Sequence, residues 1–209
     1  MPVTEGRKSM NIVCLLGSPR EKSNSSAIAK RFMDTAEKLG AKTDTYLLNE
    51  LKYRGCQACM ACKTKLEKCA LKDDLSRVLA AIQDCDVLVM ASPVYFGEVT
   101  SQLKACIDRM YSFLKLDYGV NPSPVRFAPG KVLVFALVQG HPNEKLFRDV
   151  FDRYDYFMKW WGFKESHLIR ACGVFEAGAI ETRRDILALA EEIARKVCSS
   201  KSTTPVNTN

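Results

Sequence analysis

Five short apolar runs, each followed by a stretch of helical periodicity, constrain this chain more than anything else in it. The first, 11–18 (Asn-Ile-Val-Cys-Leu-Leu-Gly-Ser), is almost continuously apolar instead of alternating. That pattern belongs to a strand buried on both faces, as in a parallel sheet. A helix is predicted over 26–39, with Ile28, Phe32 and Leu39 on its apolar stripe and Gly40 as its stop. A second strand follows at 42–48. After a cysteine-rich loop, a helix begins near Asp73 and Asp74, whose carboxylates suit a helix N-terminus. The third strand is 86–93, followed by a helix carrying Leu103, Ile107, Met110 and Leu114. Three prolines and a glycine make 117–129 a surface loop. The fourth strand is 131–138, with a helix over 144–161; the fifth is 167–171, with a last helix over 182–198. Such alternation demands a parallel sheet with helices on both faces, joined by right-handed crossovers. We read one doubly wound α/β domain over 11–198, with a polar leader (1–10) and a polar tail (199–209) expected to be disordered.

Ligands of doubly wound sheets sit beyond the carboxyl ends of the strands, so the loops there carry the functional weight. The loop after the first strand, 17–25, packs Ser18, Arg20, Ser23, Asn24 and Ser25 at a helix N-terminus. Hydroxyls, free backbone N–H groups and the helix dipole favour a phosphate there, and a guanidinium adds a charge-assisted bond. A helix cap alone would use the same residue types. The glycine-lysine pair of a Walker loop and the G-x-G-x-x-G dinucleotide fingerprint are both missing. The loop after the third strand holds Pro93, Val94, Tyr95, Phe96 and Gly97. It offers an apolar wall and backbone donors to a flat heteroaromatic ring, although aromatic residues after a strand also serve as core.

Four of the nine cysteines, Cys56, Cys59, Cys62 and Cys69, fall within the loop 54–72 at the spacing C-x2-C-x2-C-x6-C. Two successive C-x2-C steps occur in ferredoxin-type iron–sulfur loops, and Cys69 supplies a fourth thiolate for a single centre. Tetrahedral zinc prefers two separated C-x2-C pairs. Disulfides need an oxidising compartment, and free or redox-active thiols remain a further alternative. Cys14, Cys85, Cys106, Cys172 and Cys198 stand singly in apolar surroundings, as ordinary small buried residues do.

A formal charge of +7 would suit an acidic partner, but the basic residues are scattered and not interleaved with aromatics. That argues against nucleic acid and leaves an acidic electron carrier as the sharper reading of the surface. No apolar run approaches a membrane span, and the first residues lack a signal-peptide core. A cytoplasmic protein is expected.

Taken together, Gly17-Ser18-Pro19-Arg20 with Ser23-Asn24-Ser25, the cysteine loop running into Lys72-Asp73-Asp74, and Ser92-Pro93-Val94-Tyr95-Phe96-Gly97 followed by Leu103-Lys104 and Asp108-Arg109 resemble the NADPH-dependent FMN reductase superfamily. Within it, the cysteine spacing resembles the iron–sulfur flavoproteins. The resemblance spans roughly 11–138. It implies a flavodoxin-like sheet of order 2-1-3-4-5 and an FMN whose phosphate is held by Ser18, Arg20, Ser23, Asn24 and Ser25, with ring contacts from Pro93 to Gly97. It also implies a [4Fe-4S] cluster on Cys56, Cys59, Cys62 and Cys69, and homo-oligomers, dimeric or tetrameric, with flavins near the interfaces. The expected role is electron transfer between a carrier such as an acidic ferredoxin and an acceptor, through FMN and the cluster. The alternatives are an NAD(P)H-dependent FMN or quinone reductase without a cluster and a non-enzymatic FMN-binding redox sensor. No residue is assigned a catalytic role. The third flavin-side loop, 138–142, has fewer glycines than the resemblance would give it.

Overall fold

The computed structural model describes residues 9–199. The leader and tail therefore fall largely outside the described residues, although Met10 is already buried in the core. Five parallel strands, β1 (Asn11–Leu16), β2 (Lys42–Leu47), β3 (Val87–Pro93), β4 (Val132–Gln139) and β5 (Glu165–Cys172), form one sheet in the order β2-β1-β3-β4-β5. Ile12 pairs with Val87 and Val87 with Val132, so the three central strands run in step from the same edge. Every residue of β4 is buried and β3 is buried up to its final proline, as the continuous apolar runs require. The outer strand β2 is mostly exposed, and Lys42 and Asp44 place charges along that edge, which discourages pairing with another chain.

Helices α1 (Asn24–Lys38) and α6 (Arg184–Ser199) cover one face. Their Ile28, Phe32, Ala190 and Ala194 pack on Val87, Val89 and Val134. Helices α3 (Leu75–Asp84), α4 (Ser101–Arg109) and α5 (Arg148–Trp160) cover the other face, with Ile82, Leu103 and Tyr154 over Leu88, Met90 and Phe135. The period-2 alternation of each strand thus feeds two separate cores. Phe135 meets Tyr154 edge-on, ring centroids 5.7 Å apart. A one-turn helix, α2 (Ala61–Thr64), lies inside the cysteine loop. Two expected helices are shorter than their apolar spacing implied. The one carrying Leu114 tightens into a 3-10 turn at Met110–Phe113, and α5 starts only at Arg148, because Pro142 and a left-handed Phe147 (φ 61°) occupy the stretch before it.

The carboxyl end of β1 is fixed by close approach to α4. A Cβ on Gly17 would lie 2.8 Å from Leu103 Cβ and 2.8 Å from Thr100 Oγ1. Thr100 Oγ1 donates to Gly17 O (2.7 Å) and also accepts from Leu103 N at the start of α4 (3.4 Å). Gly17 N donates to Ala91 O on β3 (2.8 Å). Gly17→Ala is expected to destabilise the protein by about 1–3 kcal/mol through this overpacking. Urea unfolding should show a lower midpoint at unchanged slope.

Candidate functional site

Beyond the carboxyl ends of β1, β3 and β4 lies a cavity of about 460 Å³, within the range of small-molecule and cofactor sites. At one end is the start of α1. Ser23 caps that helix, its Oγ accepting from Ser26 N (3.4 Å), and its hydroxyl also pairs with Ser25 Oγ (3.0 Å). Ser18 Oγ accepts from Arg20 N (3.2 Å). The first turn of α1 carries no acidic side chain to compete for its positive end. Lys22 and Arg20 also line this end. Hydroxyls and two cations therefore line the cavity at a helix start, the donor chemistry a phosphate dianion needs.

Pro93, Val94 and Tyr95 line the opposite side. Val94 N donates to Val138 O (2.8 Å), tying this loop to the one after β4. Tyr95 and Glu98 exchange backbone hydrogen bonds (2.8 and 3.1 Å) around a tight turn with positive φ at both Phe96 (49°) and Gly97 (81°). Glycine adopts that backbone freely; phenylalanine does so at a cost of order 1–3 kcal/mol. The Phe96 side chain is fully exposed. It stands outside the cavity, as does Gly97, whereas the other eight residues expected at the cofactor line it.

Two further walls complete the cavity, one from the expected flavin-side loop 138–142 and one that was not foreseen. Gly140, His141 and Pro142 form one, held by the buried Gln139, whose Nε2 donates to His141 O (2.7 Å) and Asn143 O (2.9 Å). Val174 and Phe175, just after β5, form the other. Arg20 Nη1 donates to Phe175 O (3.2 Å), and its guanidinium lies 5.9 Å from the ring centroid. Asn24 is spent in the same way: its Nδ2 donates to Glu176 O (2.8 Å) and its Oδ1 accepts from Ile180 N (3.1 Å). The first loop thus latches the segment after β5. The glycines at 173 and 178 around Phe175, at the carboxyl end of a strand, were the available sequence signal.

The cysteine loop lies on the α4 side. Cys56 and Cys59 are exposed, and Cys62 and Cys69 half-buried. Ala58 (φ 50°) and Met60 (φ 56°) take left-handed backbone between them. Beneath, Lys63 is buried; its Nζ donates to Tyr111 O and Leu114 O, both at 2.6 Å, and lies 4.1 Å from the Tyr111 ring centroid. Burial pushes this ammonium below its ordinary value against the pull of the neighbouring Cys62. Arg126 donates to Cys62 O (3.2 Å). Among the described residues no three His, Cys, Asp or Glu side chains are gathered to hold a metal ion. The donor set nevertheless fits a thiolate-bound group in kind: four thiols underlain by cations, on a segment whose ligand geometry binding itself would complete. By contrast, burial pushes Cys14, Cys85 and Cys106 up to about 12, making them inert thiols.

Comparison with known proteins bears on the crevice as a whole. The sequence pattern of the NADPH-dependent FMN reductase family matches residues 10–144. The chain belongs to that family. Two curated relatives that the chain resembles are both named iron-sulfur flavoprotein. One, from Archaeoglobus fulgidus, is 33% identical over 135 residues, covering 65% of this chain and 58% of the relative. The other, from Methanosarcina thermophila, is 33% identical over 100 residues, covering 48% and 52%. The chain thus spans about half the length of the curated relatives it matches. Solved structures share the fold. The NAD(P)H:quinone oxidoreductase from Methanothermobacter marburgensis superposes with a TM-score of 0.68 at 18% identity, covering 90% of this chain and 97% of its own. An FMN-dependent NADH-azoreductase from Bacillus anthracis, in complex with FMN, gives 0.65 at 14%, covering 91% and 99%. The FMN reductase match ends within the loop after β4, so the wall formed by Val174 and Phe175 lies beyond it. Among the described residues no helix is long and apolar enough to cross a membrane.

The latch by Asn24 is open to direct test. Asn24→Ala removes two hydrogen bonds to the chain after β5, a local loss of about 1–3 kcal/mol. Amide hydrogen exchange over 174–182 should accelerate while β3 and β4 keep their protection.

Proposed function

We propose that this chain is a flavin-dependent oxidoreductase of the iron–sulfur flavoprotein type. In this reading FMN occupies the crevice beyond β1, β3 and β4, and a [4Fe-4S] cluster is carried by Cys56, Cys59, Cys62 and Cys69. The observation that supports it best is the crevice itself. A hydroxyl-rich helix start with no acidic residue in its first turn faces an apolar Pro93–Tyr95 wall across a cavity of about 460 Å³. That arrangement suits a molecule with a phosphate at one end and a flat ring at the other. When bound, FMN supplies one- and two-electron chemistry and the cluster one-electron chemistry, so together they match single-electron carriers to two-electron acceptors. The protein's own contribution is position and exclusion of water. Ser18, Ser23, Ser25 and Arg20 bind the phosphate, with Lys22 adding charge. Pro93 and Tyr95 wall the ring, and Pro142 and Phe175 close the mouth. An acidic ferredoxin or NAD(P)H is the electron donor in this proposal. The exposed Phe96 turn is a contact between subunits of a dimer or tetramer.

Anaerobic purification with a visible spectrum, and iron and acid-labile sulfide measured on the same sample, tests the reading. Flavin bands with a broad shoulder, iron and sulfide are expected, and Cys59→Ala should lose the shoulder and keep the flavin. Flavin without iron, even after reconstitution, would replace the reading with an NAD(P)H-dependent reductase, provided that NADPH bleaches the flavin. Flavin without turnover of any acceptor would favour a redox sensor. The phosphate assignment has its own test. Arg20→Ala should weaken FMN binding by roughly ten- to a hundredfold, the loss of one charge-assisted hydrogen bond. Riboflavin, which lacks the phosphate and feels the change only through the Phe175 wall that Arg20 helps to hold, should lose markedly less affinity than FMN in a fluorescence titration.

A further inference from the structure

The cysteine loop is anchored by a residue that the flavin crevice does not use. Arg109, at the end of α4, has a side chain with no solvent exposure. Its Nη1 donates to Arg54 O (3.0 Å) and to Asp73 Oδ2 (2.8 Å), and its Nη2 donates to Leu71 O (3.4 Å). Arg54 stands two residues before Cys56 and Leu71 two residues after Cys69. One guanidinium therefore bridges the two mouths of the loop. The aspartates that follow complete the closure. Asp73 Oδ2 also accepts from Arg54 N (3.2 Å), and Asp74 Oδ2 accepts from Lys52 N (2.7 Å).

Two observations go beyond a structural ion pair. Nε of Arg109 is buried with no hydrogen-bond partner among the described residues, a condition that costs about 1–3 kcal/mol unless something accepts from it. Cys69 stands beside the same guanidinium and interacts with it. Charge points the same way. Lys63 within the loop and Arg109 and Arg126 against it, with Asp73 as the carboxylate paired among them, make an excess of positive charge under four potential thiolates. Lysine could balance the charge but, as a point donor, could not reach both mouths in one plane.

We propose that Arg109 is the positioning residue of the thiol site: it clasps the loop shut at Arg54 and Leu71 and reserves its Nε–H for sulfur at Cys69. This rests on the reading of Cys56, Cys59, Cys62 and Cys69 as cluster ligands. The clasp itself acts before any metal is bound and can be measured without one.

The test uses the full chain with Arg109→Lys, which keeps the charge a buried site demands, and Asp73→Asn, which keeps the guanidinium and weakens one anchor. In metal-free protein, hydrogen exchange over 54–71 and alkylation of Cys69 by iodoacetamide are followed by mass spectrometry. Arg109→Lys should accelerate both on the order of tenfold or more, and Asp73→Asn should accelerate exchange at the Arg54 mouth. Protection in β1, β3 and β4 should stay unchanged in both. Wild-type protection of the loop in the folded Lys variant would overturn the proposal. The same proteins are then given ferrous iron and sulfide anaerobically. Wild-type protein that loads iron beside a Lys variant that loads about a tenth as much or less supports the clasp as part of the ligand site. If the wild type takes up no iron while the Lys variant still loosens the loop, the clasp stands and the cluster reading falls.

Discussion

Strands β1 and β3 hydrogen-bond side by side, yet the chain leaving β1 turns to one face of the sheet and the chain leaving β3 to the other. Right-handed crossovers between parallel strands make this divergence unavoidable once the order is 2-1-3-4-5. The two loops must part, and the gap between them is the crevice. Gly17 shows how tightly it is drawn. Its backbone donates to Ala91 O and accepts from Thr100, with Leu103 too close for any side chain. The hydroxyl-rich start of α1 and the Pro93 turn therefore face one another because two buried strands and α4 leave them no other place.

A second constraint operates on the α4 side. A loop of this length with four cysteines has little apolar surface of its own, and Cys56 and Cys59 are exposed. It keeps a shape because cations tie its backbone to neighbouring segments: its own Lys63 donates to Tyr111 O and Leu114 O, Arg126 donates to Cys62 O, and Arg109 donates to Arg54 O and Leu71 O. A buried guanidinium is tolerable only when paired, and Asp73 provides the pair. Burial pushes the Asp73 carboxyl up, but hydrogen bonds from Arg109 and Arg54 outweigh it and hold the group below its ordinary range. The stability this contributes is present above the ordinary carboxylate value and is lost as pH falls through the depressed one.

The flavin crevice and the cysteine loop are linked through α4. Thr100 at its start fixes the end of β1, and Arg109 at its end fixes the cysteine loop. A helix with Leu103 and Cys106 wholly buried is a rigid spacer between them.

The sequence by itself determined the alternation of five buried strands with helices, because continuous apolar runs such as 132–138 have no other stable use in a chain of this size. It also determined which residues gather at the start of α1 and along the Pro93 turn, because loops at the carboxyl ends of such strands have a fixed place. Tertiary structure alone decided the rest. Tyr95 faces the crevice while its neighbour Phe96 faces solvent, a choice set by the positive φ at Phe96 that no local pattern announces. Phe175 reaches the pocket only because Arg20 and Asn24 latch a segment more than 150 residues away. The closure of the cysteine loop depends on Arg109, which the sequence offers only as part of a family motif on an amphipathic helix and which in space is a buried charge facing two strands of chain. Hydrogen bonds across such separations obey geometry that exists only once the sheet is built, whereas the strands and helices follow from the period of apolar residues along the chain.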